Sequence, residues 1–265
     1  MKYKYFFTIT AGRTGTAWLR SFFANNLNVP AVHEPLGIDD FGIRMPDIKL
    51  MRTFNMRGND LDVKKFYKRK FDEIALLPAY AETNHTLGKS GLVENILHHE
   101  IAPRSCLIIL RRNFIQQCVS YINRRDFSNI TTVWQWYLDH EYRNNIVSYE
   151  QMRQFGALGR IIWYVFEMDA RQRYYERLYS NRLNFVPALL EVISKQEGAN
   201  EFLGQLGWSD PAMLPAPSNK NNFLPNEELF YRVQDVIGRL NFDVDALVDA
   251  YIASGRTLCS TENKK

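Results

Sequence analysis

A strand, a turn holding two glycines and a helix follow one another within residues 6–23, FFTITAGRTGTAWLRSFF, and this junction constrains the fold more than any other stretch. Phe6–Ile9 is a short apolar run with Thr8 and Thr10 interspersed, which suits a buried strand. Ala11-Gly12-Arg13-Thr14-Gly15-Thr16 supplies the turn. Leu19, Phe23 and Leu27 then recur at helical spacing, with Trp18 and Phe22 beside them. Such a unit forms an anion site, because loop N–H groups point inward and the helix dipole favours negative charge. Arg13 adds a planar cation suited to phosphate or sulfate oxygens. Thr14 and Thr16 add hydroxyl donors that can also cap the helix. An ordinary strand–turn–helix with a solvent-facing arginine accounts for the same residues, so the loop alone leaves both readings open.

The bulk properties narrow the class. A chain of 265 residues that is 46% apolar can hold one large α/β domain or two small ones. No internal repeat and no long linker divides it, so a single domain over residues 1–265 is expected, with the polar tail frayed from about residue 256. No window approaches the roughly eighteen apolar residues of a membrane span. The first apolar run is too short for a signal-peptide core and has no small-residue cleavage pattern. Cys106, Cys118 and Cys259 are odd in number and far apart, which fits reduced thiols in a cytoplasmic protein and neither a disulfide frame nor a metal site. The net charge of +4 permits an anionic ligand, but no basic stripe with interleaved aromatics points to nucleic acid. The oligomeric state is left open.

Further strands are expected over 29–35, 77–85, 106–110 and 183–190, with Pro187 placing the last at an edge. In a parallel sheet, ligands gather at the carboxyl ends of strands. His33 and Glu34 end the second strand, His85 the third, and Arg111-Arg112-Asn113 the fourth, the most continuous aliphatic run in the chain. The following helix should turn Ile115, Val119 and Ile122 inward. Residues 64–70, KKFYKRK, carry five basic side chains and read as a solvated helix face, or as a surface for an anionic acceptor or partner. Residues 131–179 read as helical and rich in aromatics, among them Trp134, Trp136, Tyr137, Trp163, Tyr164 and Phe166, suited to core packing or to an acceptor pocket. A helix over 191–206 should stop at Gly207-Trp208. Residues 209–225 are irregular, and helices over 227–240 and 244–254 close the chain.

Two of these junctions carry a family resemblance. Arg13-Thr14-Gly15-Thr16-Ala17-Trp18-Leu19 resembles the 5′-phosphosulfate loop of sulfotransferases that use 3′-phosphoadenylyl sulfate (PAPS). Leu110-Arg111-Arg112-Asn113, with Ser120 eight residues beyond Arg112, is similar to their 3′-phosphate signature. Phe114 stands where that family commonly has proline, which touches helix-start geometry and not the ligands. Residues 186–189 lack the acidic residues of the family's later strand–helix segment.

The resemblance implies an α/β fold, a mainly parallel sheet flanked by helices, like P-loop NTPases in outline. It implies transfer of a sulfuryl group from PAPS to a hydroxyl or amine acceptor, with 3′,5′-bisphosphate (PAP) as product and no metal. Arg13 and the loop from Thr14 and Gly15 through Thr16, Ala17 and Trp18 would hold the 5′-phosphosulfate, Arg13 also serving the transfer itself. Arg112 and Ser120 would hold the 3′-phosphate, and Lys220 would belong to a loop closing over the nucleotide. Carbohydrate and tyrosine sulfotransferases use a glutamate at a position like Glu34, and small-molecule enzymes a histidine where His85 stands. Glu34 is the favoured base, with His85 as a second contact to the acceptor and His33 as a lesser alternative. Carbohydrate, lipid, peptide tyrosine and small metabolite all remain open as acceptors. A small-molecule P-loop kinase is the rival enzyme, weakened because Thr16-Ala17 stands where lysine and a magnesium-binding hydroxyl belong. A catalytically silent nucleotide-binding protein is the other rival.

Overall fold

The computed structural model describes residues 2–36, 43–127, 135–216 and 227–259. Five strands, β1 (Tyr5–Ile9), β2 (Ala31–His33), β3 (Tyr80–Thr83), β4 (Ser105–Arg111) and β5 (Asn184–Leu189), form one sheet in the order β2-β3-β1-β4-β5. Every pairing is parallel, so the expected α/β class with a parallel sheet is what the chain adopts. β1 lies at the centre, paired through Tyr5–Tyr80 to β3 and through Tyr5–Ser105 to β4.

Strand alternation sends the apolar residues to both faces. Phe7, Ile9, Leu107 and Ile109 join the larger core, which also takes in Tyr67, Phe71, Trp163 and Tyr164. Phe6, Cys106, Ile108 and Leu110 point to the smaller one, beneath Trp18, Phe22 and Phe202. The helices are α1 (Thr16–Asn26), α2 (Ile48–Arg57), α3 (Leu61–Ala75), α4 (Leu92–Ile96), α5 (Phe114–Arg124), α6 (Gly156–Tyr179), α7 (Leu190–Ile193), α8 (Gln196–Gln205), α9 (Glu227–Leu240) and α10 (Val244–Ala253). β5 is an edge strand, consistent with the proline at 187.

The sheet order creates the functional geography. Successive connections leave β1 toward β2 and leave β4 toward β5, on opposite sides. The carboxyl ends of β1 and β4 therefore flank the switch point, where an open parallel sheet leaves a crevice.

Several expectations change. Residues 135–149 form turns and short 3-10 geometry, and continuous helix begins only with α6. That irregular stretch is held by buried charge: Arg171 Nε meets Glu167 Oε1 at 2.7 Å, and Glu167 Oε2 accepts from the Ile146 and Val147 N–H groups. The helix expected over 191–206 divides into α7 and α8 around Ser194-Lys195, then stops at Gly207 (φ 84°) with Trp208 N–H on the Leu203 carbonyl. On α5 the buried face is Gln117, Cys118, Ser120 and Tyr121, while Ile115, Val119 and Ile122 are half-buried at the flank. Residues 256–259 are docked, because Leu258 is buried and its carbonyl accepts from Asn144. Lys70 leaves the solvated face of α3 altogether: it is buried and meets Glu82 Oε2 at 2.6 Å. Trp134 and Lys220 lie outside the described residues.

Candidate functional site

The loop after β1 is built from the backbone up. Gly12 (φ 96°), Arg13 (φ 56°) and Gly15 (φ 87°) occupy the left-handed region, which curls the chain into a concave turn before α1. A side chain at Gly15 would press on the Leu190 methyls at 2.6 Å, but it is the left-handed torsion that requires glycine.

Side chains from α5, α6 and the end of β4 hold the carbonyls of this loop. Tyr121 and Tyr164 hydroxyls both donate to the Ala11 carbonyl, at 2.8 and 2.7 Å. Gln117 donates to the Gly12 carbonyl at 2.7 Å, and Arg112 Nη1 donates to the Arg13 carbonyl at 3.0 Å. In a trans peptide the carbonyl of one residue and the N–H of the next point in opposite directions. Anchoring the carbonyls of 11, 12 and 13 therefore turns the N–H groups of Gly12, Arg13 and Thr14 away from the anchoring side chains. Among the described residues none of these N–H groups has an acceptor. The loop is thus an array of fixed, open donors.

The side chains of the loop divide their tasks. Arg13 Nε donates to Ser120 Oγ at 3.0 Å, which joins the two signature segments directly. Burial, and next the nearby Arg124, lower the Arg13 guanidinium from the ordinary arginine value. Thr14 is buried with its hydroxyl 2.6 Å from that of Thr10. Thr16 opens α1, and Ala17 follows it. The Trp18 ring stacks on Phe22 at 5.2 Å and belongs to the smaller core, so its ring serves packing.

At the end of β4 the two arginines part. Arg111 is tied to Asp169 and Glu176 of α6, each at 2.9 Å. Arg112 turns back to the loop, and its Nε is buried without a hydrogen-bond partner, 3.8 Å from Glu191 Oε1. Burial lowers this guanidinium too, with Glu191 opposing. α5 starts cleanly without proline: Asn113 caps it by accepting from the Gln116 N–H, and Phe114 stacks on Phe166 at 5.1 Å. Glu191, on α7, also accepts from the Asn113 N–H. It supplies an acidic group one short step beyond the segment 186–189 in which the sequence shows none. Arg112, Thr14, Gln117, Phe114 and Asp169 line a cavity of about 220 Å³.

Glu34 and His85 converge from neighbouring strands. Glu34 follows β2 in the left-handed region (φ 49°) and His85 follows β3, their Oε1 and Nε2 atoms 3.6 Å apart. His33 Nε2 lies 4.0 Å from the same oxygen, while its Nδ1 rests 2.9 Å from the Thr83 carbonyl. His85 also touches the loop, since a side chain at Gly12 would come within 3.3 Å of its Cβ. Burial first, then Lys89, His33 and Arg124, hold the His85 imidazole well below the ordinary histidine range, so it is neutral at neutral pH. The turn bearing it is fastened by a buried chain. Lys70 and Tyr80 meet Glu82 Oε2, Asn84 donates to Glu82 Oε1, and Asn84 Oδ1 accepts from the backbone and hydroxyl of Thr86.

Behind His85 lies Lys89, fully buried and not singled out in the sequence. Gly88-Lys89-Ser90 repeats the ending of a nucleotide-triphosphate loop, but Thr83 stands where that motif needs its first glycine. Lys89 points inward, to the Trp136 carbonyl at 2.5 Å and the Tyr164 hydroxyl at 2.8 Å. Ser90 is taken up by Tyr67 and the Thr86 carbonyl. Neither residue is disposed to cradle phosphate.

No protein-family model matches this chain, and no curated protein matches it in sequence. Among solved structures, a sulfotransferase from Alicyclobacillus acidocaldarius is similar at 17% identity over 94% of this chain and 95% of that one, with a TM-score of 0.48. A likeness that remote says nothing of chemistry.

Proposed function

We propose that this protein is a sulfotransferase that moves a sulfuryl group from PAPS to a hydroxyl or amine acceptor. The observation that carries the reading is the loop after β1, whose carbonyls are anchored and whose N–H groups of Gly12, Arg13 and Thr14 are open. The fit to a doubly phosphorylated nucleotide rests on this donor array together with the buried Nε of Arg112, which makes no hydrogen bond though Glu191 lies 3.8 Å away, and the guanidinium of Arg13 beside Ser120.

PAPS would supply an activated sulfuryl group on a phosphate leaving group. The loop N–H groups and Arg13 would hold the phosphosulfate and stabilise the negative charge growing on its bridging oxygen. Arg112 and Ser120 would hold the 3′-phosphate, with Arg112 positioned through its bond to the loop. Glu34, at the next strand end but one, would accept the acceptor's proton, and His85 would donate to the acceptor or to Glu34. Fixed positive groups supply the charge stabilisation that a kinase draws from magnesium. The free Cys106, Cys118 and Cys259 suit a reducing compartment, the cytoplasm.

The test is a thermal-shift comparison of PAP, AMP and ATP with magnesium, followed by transfer assays from PAPS to carbohydrate, lipid, tyrosine-peptide and small-metabolite acceptors. PAP should stabilise the protein far more than the other nucleotides, because native-state binding raises the melting temperature by mass action. Equal stabilisation by ATP and PAP would refute the proposal.

A further inference from the structure

Lys89 Nζ has three neighbours at hydrogen-bonding range: the Trp136 carbonyl at 2.5 Å, the Tyr164 hydroxyl at 2.8 Å and His85 Nδ1 at 3.3 Å. The carbonyl can only accept. The Tyr164 hydroxyl commits its proton to the Ala11 carbonyl, so toward Lys89 it accepts as well. An ammonium has three N–H donors, one for each neighbour. The rings of Tyr137 and Tyr164 lie 5.1 and 5.2 Å from the same nitrogen, which adds cation–π attraction.

Burial keeps the His85 ring neutral, which leaves two tautomers to weigh along the row Lys89–His85–Glu34. If Lys89 donates to Nδ1, a neutral imidazole carries its proton on Nε2, the atom 3.6 Å from Glu34 Oε1. The row then runs cation, neutral ring, anion, and every close pair is donor to acceptor. If instead Nδ1 carries the proton and Lys89 is a neutral amine, the lone pair of Nε2 faces a carboxylate oxygen. With the ring held neutral, that repulsion is removed only by a further proton on Glu34. Burial lowers the Lys89 ammonium well below the ordinary lysine range while the Glu34 charge opposes that shift, and the first arrangement costs less because it pairs the buried cation with that charge.

We propose that Lys89 is a positioning residue that fixes the His85 proton on Nε2, making the imidazole a donor toward Glu34 and leaving Glu34 as the proton acceptor of the pair. The proposal deepens the sulfotransferase reading, on which its catalytic consequence rests. The proton assignment itself does not depend on that reading. Both ring nitrogens are engaged, so His85 has no free lone pair for an acceptor hydroxyl. Through Tyr164, Lys89 also reaches the Ala11 carbonyl, tying the acid–base pair to the same anchor that shapes the anion loop.

The test is long-range ¹H–¹⁵N correlation NMR on the full chain labelled at its five histidines, with the His85 signals assigned by their loss in His85→Gln. Near neutral pH, Nδ1 should resonate as an unprotonated nitrogen and Nε2 as a protonated one. A Nδ1–H tautomer, an even mixture or an imidazolium would overturn the proposal. In Lys89→Met the tautomeric preference should disappear while PAP still raises the melting temperature. Retention of the Nε2–H form in that variant would remove the role of Lys89. Should Lys89→Met fail to fold, the wild-type tautomer still decides. In an active enzyme, Lys89→Met should lower kcat about tenfold or more and leave KM for PAPS unchanged. A wild-type protein that shows the Nε2–H tautomer but no transfer from PAPS counts against the reaction and supports the proton assignment.

Discussion

Arg112 Nη1 donates to the backbone carbonyl of Arg13 at 3.0 Å, so the end of β4 holds the loop that follows β1. One side chain therefore anchors the loop after β1 and is also the proposed phosphate ligand. Arg112→Ala should remove most of the preference for PAP over AMP, since a charge-assisted contact is worth about 1.5–3 kcal/mol. Arg112→Lys should restore only part of it, because an ammonium lacks the planar fork. Calorimetric titration with PAP measures both, and an unchanged affinity in Arg112→Ala would exclude the residue from the site.

Glu34→Gln preserves shape and removes the basic carboxylate. Turnover should fall by about 10²–10⁴-fold while PAP affinity is retained. His85→Ala should be less damaging to the chemical step than Glu34→Gln. Single-turnover rates for the two variants give the comparison, and an active Glu34→Gln beside a dead His85→Ala would reverse their roles.

The basic stretch of α3 divides into two parts that respond differently to substitution. Lys64 and Lys65 are exposed, and among the described residues Lys68 makes only an exposed i,i+4 pair with Asp72. Replacing all three by Gln should leave PAP affinity unchanged and alter stability by less than about 1 kcal/mol. Lys70→Met strands the buried carboxylate of Glu82, which should cost about 3–5 kcal/mol. It should also loosen the turn bearing His85, because Glu82 holds Asn84. Denaturant unfolding of the two variants separates these effects.

Glu94 predicts a pH dependence of stability. Burial raises its carboxyl from 4.5 to about 7, against the opposing hydrogen bond from Tyr175. Its Oε2 is buried without a partner. The folded state therefore holds this proton longer than the unfolded state does. The associated stability is fully present below pH 4.5 and is lost as pH rises through about 7. The shift corresponds to a loss on the order of 3 kcal/mol. In Glu94→Gln that decline should vanish, so the variant and wild type melt alike near pH 4.5 and diverge at pH 8, with the variant higher. Parallel melting curves across this range would refute the assignment.

Local pattern was enough to place the strands, the two strand–helix junctions and the residues that end them. Apolar runs, glycines and helical spacing act over a few residues, and β1, β4 and α1 formed where those signals stood. Glu34 and His85 were visible for the same reason, each closing a short strand. Their meeting depended on β2 pairing with β3, which no local pattern records. Lys89 and Lys70 went unread because a lysine in a turn or a basic run looks solvated, and only long-range packing buries it against Trp136 or Glu82. Glu191 escaped notice because the acid falls on α7 beyond the strand, and its use depends on where Arg112 turns. The sequence by itself determined where the glycine loop after β1 would form. Tertiary structure decided which way its peptides face, because Tyr121, Tyr164, Gln117 and Arg112 reach its carbonyls from segments about a hundred residues or more away.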